Sequence, residues 1–165
     1  MKLNFRLCLA ILIFIGGVAW FLLRPNEEGK IRRRFQELRR TVDKSAVAEE
    51  QEGHAAVKLL TLNNLFTEQV EVRLPGFPEN GVLSNAELCS LIMNGRRVCT
   101  SIDIFVNGLE IEIDGDAATC RCSATATIQF HGETYKDRHE VLVGLVKQGR
   151  TWRFSSCTQD PLLQK

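Results

Sequence analysis

Three residues of one predicted strand carry side chains that could transfer protons. Tyr135, Asp137 and His139 recur at every second position, and because successive side chains of a strand point to opposite faces, the three share a face. A phenol, a carboxylate and an imidazole together are typical of general acid–base catalysis, here of a small-molecule isomerase or hydrolase-like kind. The same pattern also fits a polar strand end beside a turn, open to water. The sequence favours this second interpretation and leaves the first open.

The cysteines form a second group with possible chemistry. Six are present, and five follow the N-terminal apolar segment: Cys89, Cys99, Cys120, Cys122 and Cys157. Cys120 and Cys122 are two positions apart on one strand, which disfavours a mutual disulfide and matches no zinc-ligand spacing. Cys99 could form a disulfide with another cysteine in an oxidising compartment. The odd number favours the alternative, small buried hydrophobes. We predict no metal site and no cofactor.

An uncharged segment begins near the N-terminus. Leu7 to Leu23 reads LCLAILIFIGGVAWFLL, seventeen residues that are apolar on every helical face. As a helix it would span about 25 Å, enough for a thin bilayer core. We therefore predict a signal-anchor or transmembrane helix in residues 1–24. Small residues at Gly17-Val18-Ala19 also suit a signal peptidase, but the apolar residues after them favour a retained anchor. The predicted membrane contacts are Leu7, Leu12, Phe14, Trp20 and Leu23.

The charges around this segment give two opposite predictions of orientation. Two basic side chains precede it and five follow closely, which by the positive-inside rule places the domain in the cytoplasm. A short basic start before an apolar run instead resembles a secretory signal, and we favour a single-pass protein with an extracytoplasmic, periplasmic domain. The arginines at 32–34, 39 and 40 form either a solvated helix face or, on the cytoplasmic side, a contact with anionic headgroups.

Three helices are predicted after the apolar segment. Asn26 can cap the first, in which apolar residues recur at helical spacing from Ile31 to Val42. The second runs from about Ala46 to Phe66. Ser84-Asn85-Ala86-Glu87 is a capping box that begins the third, which Gly95 is expected to stop.

Alternating apolar residues predict strands elsewhere. Glu68 to Leu74 is a short strand. Residues 102–113 form one long strand with a bulge at Asn107-Gly108, although the same dipeptide would also suit a hairpin. Three further strands are predicted at residues 117–130, 133–147 and 151–157.

Turns predict how these strands pair. Gly132 at the centre of a turn pairs Phe130 with Glu133. The register that follows places Tyr135, Asp137 and His139 opposite Ile128, Ala126 and Ala124. At the next turn we expect Lys147 to pair with Arg150, Leu145 with Trp152 and Val143 with Phe154.

The order of elements, helices followed by a meander of long strands, is that of an α+β protein. It resembles the NTF2-like superfamily, the cone-shaped fold also described as SnoaL-like or cystatin-like. The resemblance covers about residues 27–158 and is carried by Leu109–Ala118 and by Val146–Ser156, with its small-loop–Trp–basic–hydrophobic pattern. It implies helices packed on a strongly bent antiparallel sheet in a domain at 25–160, with a tail at 161–165.

Such a fold implies a pocket between the concave face of the sheet and the first helices. The predicted pocket-lining residues are Cys120, Cys122, Ala124, Val141, Val143, Trp152 and Phe154. The ketosteroid isomerase-like branch of the superfamily uses Asp and Tyr in its cone, which Tyr135, Asp137 and His139 match by residue type alone.

Function does not follow from this resemblance, because the superfamily hosts isomerases, dehydratases, cyclases, binding domains and assembly domains. The sequence shows no nucleophile, metal cluster or phosphate loop. We expect a membrane-tethered, non-catalytic binding or assembly module that contacts membrane lipid and an apolar ligand, a partner protein or a second copy. The alternatives are the enzyme above and a component of a bacterial envelope or secretion complex. A net charge of +1 argues against nucleic acid as a partner.

Overall fold

A computed structural model describes residues 26–45, 52–77 and 79–160. The predicted anchor at 1–24 and the tail at 161–165 lie outside these ranges. None of the helices in the described ranges is long and apolar enough to cross a membrane. The elements in chain order are α1 (Glu27–Val42), α2 (Glu52–Leu65), β1 (Phe66–Arg73), β2 (Gly81–Ser84), α3 (Asn85–Val98), β3 (Ser101–Asp114), β4 (Ala117–Phe130), β5 (Glu133–Gln148) and β6 (Thr151–Gln159).

The first helix begins as its sequence predicts. The Asn26 side chain accepts a hydrogen bond from the Gly29 amide at 3.3 Å, and acidic residues occupy the first turn and basic residues the last, in line with the helix dipole. Ile31 and Phe35 lie on the buried stripe. This stripe packs α1 along the sheet, with contacts to β3 and β6.

The other two helices differ from prediction at their ends. The second ends at Leu65, because Phe66 already belongs to β1, and its predicted start at Ala46 lies outside the described residues. The capping box at Ser84 is confirmed. The predicted stop at Gly95 is wrong, since α3 continues to Val98. The residue after the glycine, Arg96, is buried and its guanidinium donates to the carbonyls of Val42 and Asp43, which ties α3 to the end of α1.

All six strands form one bent sheet in the order β2-β1-β6-β5-β4-β3. The predicted wholly antiparallel sheet is wrong in one pairing, because β1 runs parallel to β6. The strand β2, which pairs antiparallel with β1, was not predicted. The sheet is therefore mixed, and it brings the middle of the chain beside its last strand.

The bulge predicted in β3 is confirmed. Asn107 pairs with Ser123 and Glu110 with Arg121, so the register shifts by one residue between them. Gly108 has a φ of +61°, a left-handed conformation that glycine adopts at no steric cost. The long strand thus stays continuous and bends at this point.

The register between β4 and β5 is as predicted at every pair, including Ala126 with Asp137 and Ala124 with His139. The register between β5 and β6 is not. Lys147 pairs with Trp152 and Leu145 with Phe154, because Gly149, with a φ of +65°, takes the first position of a two-residue turn.

A second bulge separates the Leu145–Phe154 pair from the pair of Gly144 with Ser156. A side chain at Gly144 would meet this bulge, since an added Cβ would lie 2.4 Å from Ser156 Oγ. Glycine at this position therefore lets β5 and β6 approach closely without displacing the Ser156 hydroxyl.

The core lies between the helices and one face of the sheet. Phe154 is at its centre, with its ring 5.1 Å from that of Phe35 in an edge-to-face arrangement and 5.9 Å from that of Phe66. Trp152 is also buried, and its Nε1–H donates to Glu27 Oε2 at 2.7 Å. These contacts join both ends of the domain to one cluster.

Candidate functional site

A cavity of about 350 Å³ lies between the helices and the concave face of the sheet. Its walls come from α1, α3, β1 with the loop that follows it, and strands β3 to β6. The side chains that line it are mostly aliphatic or aromatic, among them Phe35, Val70, Leu88, Val106, Val141 and Phe154. Such walls bind ligands through removal of apolar surface from water.

Arg39, Asp137 and His139, the cationic, acidic and imidazole side chains of the lining, lie where the cavity meets water. Asp137 is 72% exposed and Arg39 is 40% exposed, whereas Val141 and Phe154 on the inner wall are buried. The His139 side chain, at 27% exposed, is intermediate between these two groups. The wall of the cavity is therefore almost wholly apolar, and these three polar side chains border its opening to water, here called the mouth.

Asp137 and His139 form a hydrogen-bonded pair at this mouth. Their side chains approach with 2.8 Å between His139 Nε2 and Asp137 Oδ2, as expected for residues two apart on one strand face. The hydrogen bond with His139, and after it the one from the Arg138 amide, holds the pKa of the Asp137 carboxyl below its usual value. An ionised carboxylate in this position orients the imidazole ring through this hydrogen bond.

Tyr135 does not join them. Its hydroxyl donates to the Glu133 carboxylate, its side chain is 53% exposed, and it is not among the residues that line the cavity. The hydrogen bond to Glu133 raises the pKa of the phenol, which stays protonated at neutral pH. The structure thus brings two of the three sequence candidates together.

Arg39 reaches the mouth from α1. Its guanidinium contacts Asp43 at 3.1 Å and Asp103 at 3.3 Å and lies 5.5 Å from the centre of the Phe105 ring. From the sequence, Arg39 was predicted only to belong to the arginine cluster of α1. Its spacing was the missed signal, because it lies four residues after Phe35 and so shares the helix face that packs on the sheet.

The five described cysteines are free thiols. Cys122 and Cys157 line the cavity. Burial raises the pKa of Cys122 to about 11 and that of Cys157 to about 12. Both thiols are therefore protonated at neutral pH and contribute to the walls as small hydrophobes. No group of three or more His, Cys, Asp or Glu side chains within residues 26–45, 52–77 and 79–160 is placed to hold a metal ion.

Residues 58–158 match the sequence profile of the SnoaL-like domain family. The chain belongs to this family. A search of curated proteins found no match. This assignment agrees with the resemblance predicted from the order of elements.

Solved structures share the fold of this SnoaL-like domain. A protein of unknown function from Mycobacterium tuberculosis is 19% identical, with a TM-score of 0.62 over 81% of this chain and 70% of that one. A conserved protein from Planctomyces limnophilus is 13% identical, with a TM-score of 0.64 over 81% and 94%. A protein from Streptomyces avermitilis, provisionally described as a dehydratase of the NTF2-like family, is 14% identical, with a TM-score of 0.62 over 84% and 99%.

Within the SnoaL-like domain, the predicted pocket residues fall into two groups. Cys122, Ala124, Val141, Val143 and Phe154 line the cavity. Cys120 and Trp152 are buried in the core but are not among the lining residues. Trp152 is displaced because the register of β6 differs from the predicted one by two positions, which places it opposite Lys147 near the turn.

The lining residues that were not predicted come from α1, α3, β3, β4 and β6 and from β1 with its following loop. Five of them lie on β1 and this loop: Phe66, Val70, Val72, Leu74 and Phe77. Their position depends on the parallel pairing of β1 with β6, which no local pattern indicates. Cys157 was missed because the predicted register of β6 is wrong. The turn at Gly149 shifts the pairing by two residues and the bulge shifts it by one more, so Cys157 lies opposite Val143 instead of opposite Glu140.

Proposed function

We propose that this SnoaL-like domain is a membrane-tethered, non-catalytic binding module whose cavity holds an apolar small molecule with one polar end. The observation that carries the proposal is an almost wholly apolar wall with three polar side chains at the mouth. A volume of about 350 Å³ is in the range of small-molecule sites. Each 100 Å² of apolar ligand surface removed from water would contribute about 2.5 kcal/mol to binding before entropic costs.

The mouth defines how such a ligand would lie. Its apolar body would contact Val141 and Phe154, and its polar group would face His139 and the N–H donors of the Arg39 guanidinium. A carboxylate, hydroxyl or carbonyl oxygen satisfies these donors. A ligand without such an acceptor would leave the mouth to water and gain only from its apolar body.

The tether is part of the proposal and is supported by sequence. Leu7 to Leu23 is uncharged, and α1 begins at Glu27, a few residues after Arg24. The domain would therefore stand directly at the membrane surface, and we place it on the extracytoplasmic side. An enzymatic reporter fused to the C-terminus, active on one side of the membrane only, tests both the anchor and its orientation.

Binding is tested with N-phenyl-1-naphthylamine, a neutral apolar probe that fluoresces when it leaves water. We expect saturable fluorescence with the full-length protein, and we expect Ala124→Leu to reduce it because three added carbon atoms project into the cavity. Ala117→Leu is the matched control, since the same substitution on the same strand lies at an exposed position. Equal probe binding by both variants would contradict the proposed site.

A second candidate function rests on the 2.8 Å contact between His139 and Asp137 at the mouth. An imidazole oriented by a carboxylate can act as a general base toward a ligand held in the cavity. The domain would then be an isomerase, hydrolase or dehydratase-like enzyme, a class consistent with the description of the Streptomyces avermitilis neighbour.

Small molecules released by denaturing the purified protein distinguish the two functions. A binding module and its His139→Gln variant would release the same compound. An enzyme would release product from the wild type and unreacted substrate from the variant, seen in mass spectra as two different masses. The first result supports the binding module and the second replaces it.

A further inference from the structure

A second cavity lies on another side of α1, in a groove beside α2. Its volume is about 440 Å³, and it is lined by Arg33, Gln36, Glu37, Arg40, Thr41 and Lys58. The α1 residues in this set differ from Phe35, Leu38, Arg39 and Val42, which line the apolar cavity. The two cavities are therefore separate, and this one is polar.

The charge of this groove is positive. Arg33 and Arg40 are exposed, and neither forms an ion pair or a side-chain hydrogen bond with another residue of the described ranges. The one acidic residue of the lining, Glu37, is held by Arg34 with 2.7 Å between Arg34 Nη1 and Glu37 Oε2. Two arginines in the groove are thus available to an anion, with Lys58 on the opposite wall.

The spacing of the arginines suits convergence on one group. Arg33 and Arg40 are seven residues apart, about 10.5 Å along the helix axis and close to two full turns, so their side chains leave the same helix face. Each guanidinium is long enough to reach toward the midpoint between them. The planar fork of arginine matches the oxygens of a phosphate in two parallel hydrogen bonds.

We propose that the groove between α1 and α2 is a binding site for a phosphoryl group, a phosphate ester or a diphosphate. The site is independent of the apolar cavity and of what that cavity binds. Thr41 adds no donor, because its hydroxyl already donates to the Glu37 carbonyl at 2.7 Å. Arg33 and Arg40 therefore provide the charge, and the Gln36 amide provides a neutral donor. The same chemistry occurs in lipid headgroups and in soluble phosphorylated compounds.

The proposal is tested with full-length protein in micelles of a neutral detergent. Inorganic pyrophosphate is titrated by calorimetry, and dioctanoyl phosphatidylglycerol is titrated beside dioctanoyl phosphatidylcholine in the same micelles. Saturable binding of pyrophosphate identifies a soluble ligand, whereas binding of phosphatidylglycerol alone identifies a headgroup. Either result supports the site if the variants below behave as expected, and binding of neither probe overturns it.

Three variants separate the groove from general surface charge. Arg33→Gln with Arg40→Gln is expected to weaken binding at least about tenfold. The control Arg97→Gln removes an exposed arginine of α3 that has no carboxylate partner among the described residues, and it should change affinity by less than about twofold. Glu37→Gln should strengthen binding about threefold, because it removes the one negative charge of the lining.

Glu37→Gln also controls for misfolding, because a misfolded variant would not bind more tightly than the wild type. The double variant removes two positive charges and Arg97→Gln removes one, so a fold-loss of affinity in the double variant no larger than the square of that in Arg97→Gln would mean that overall charge, not the groove, attracts the anion. That result, or a Glu37→Gln variant that binds no better than wild type, would overturn the site.

Discussion

Glu27 joins the start of α1 to the far end of the sheet. Its carboxylate accepts from Lys30 at 2.9 Å and from the buried Trp152 indole at 2.7 Å, and it lies 3.3 Å from Lys147 Nζ. These partners, Lys30 first, lower the pKa of Glu27 from 4.5 to about 2. We predict that Glu27→Gln destabilises the domain at neutral pH and has little effect in acid.

The size and sign of the effect follow from the thermodynamic linkage between protonation of Glu27 and unfolding of the domain. At about 1.36 kcal/mol for each unit of pKa, a fall from 4.5 to about 2 sets a ceiling of about 3.4 kcal/mol. Because the Glu27 side chain is 27% exposed, water screens these contacts and we expect about 1 to 1.5 kcal/mol. The folded-state pKa is the lower one, so this stability is complete above about pH 4.5 and is lost as the pH falls toward 2.

The measurement is urea unfolding of the full-length protein in neutral detergent at pH 7 and at steps down to pH 2. Wild type should exceed Glu27→Gln by about 1 to 1.5 kcal/mol at pH 7, and the difference should approach zero near pH 2. Glu28→Gln is the matched control, because Glu28 also lies in the first turn but is exposed. If both variants behave alike, the helix dipole explains the effect and the network of Glu27 does not. A difference that stays constant with pH would also refute the reasoning.

Three further predictions concern the core and the cavity. Gly144→Ala should destabilise the domain by about 1–2 kcal/mol in the same urea assay, because the new Cβ would lie 2.4 Å from Ser156 Oγ and would displace it. Its control is Gly95→Ala, in open space within α3, which should stabilise the domain by about 0.5–1 kcal/mol. Phe154→Ala should lower the free energy of unfolding by about 3–5 kcal/mol, because the ring is buried between two others. A smaller decrease would show that the cluster is loosely packed. Burial raises the pKa of Cys157 from 9.0 to about 12. At pH 8 iodoacetamide should therefore alkylate Cys157 about a thousandfold more slowly in the folded than in the unfolded protein, as measured by peptide mass spectrometry. Comparable rates would mean that the thiol is open to water.

Local signals predicted the parts of the fold that local physics decides. The caps of α1 and α3 depend on a side chain and an amide three positions away, and both were found in sequence at Asn26 and Ser84. The register of β4 with β5 follows from one tight turn at Gly132, which fixes every later pair. The contact of Asp137 with His139 follows from β5 alone, because residues two apart on one strand share a face.

Other parts depend on contacts between distant segments. No pattern near β1 indicates that it lies parallel to β6, and the cavity wall at Val70 and Phe77 depends on that pairing. The register predicted at the second turn is wrong, because Gly149 begins a two-residue turn and because the bulge beside Gly144 adds one more residue to β6. Polar side chains on a mainly packed face, such as Arg39, are recognised as part of a site only when the opposite wall is known.

The parallel pairing of β1 with β6 has a consequence for how this protein is made. Thr67 bonds to the Phe154 carbonyl 87 positions later, and Glu27 bonds to Trp152 across 125 positions. Domains dominated by such distant contacts fold slowly, in milliseconds to seconds. During synthesis at about 5–20 residues per second, α1 would wait on the order of ten seconds for the strand that completes its core. For that interval the apolar faces of α1 and β1 have no final partner, while Leu7 to Leu23 has already left the ribosome. The predicted anchor would thus reach the membrane before the domain folds, and a chain that stops before Thr151 would lack the strand around which both halves assemble.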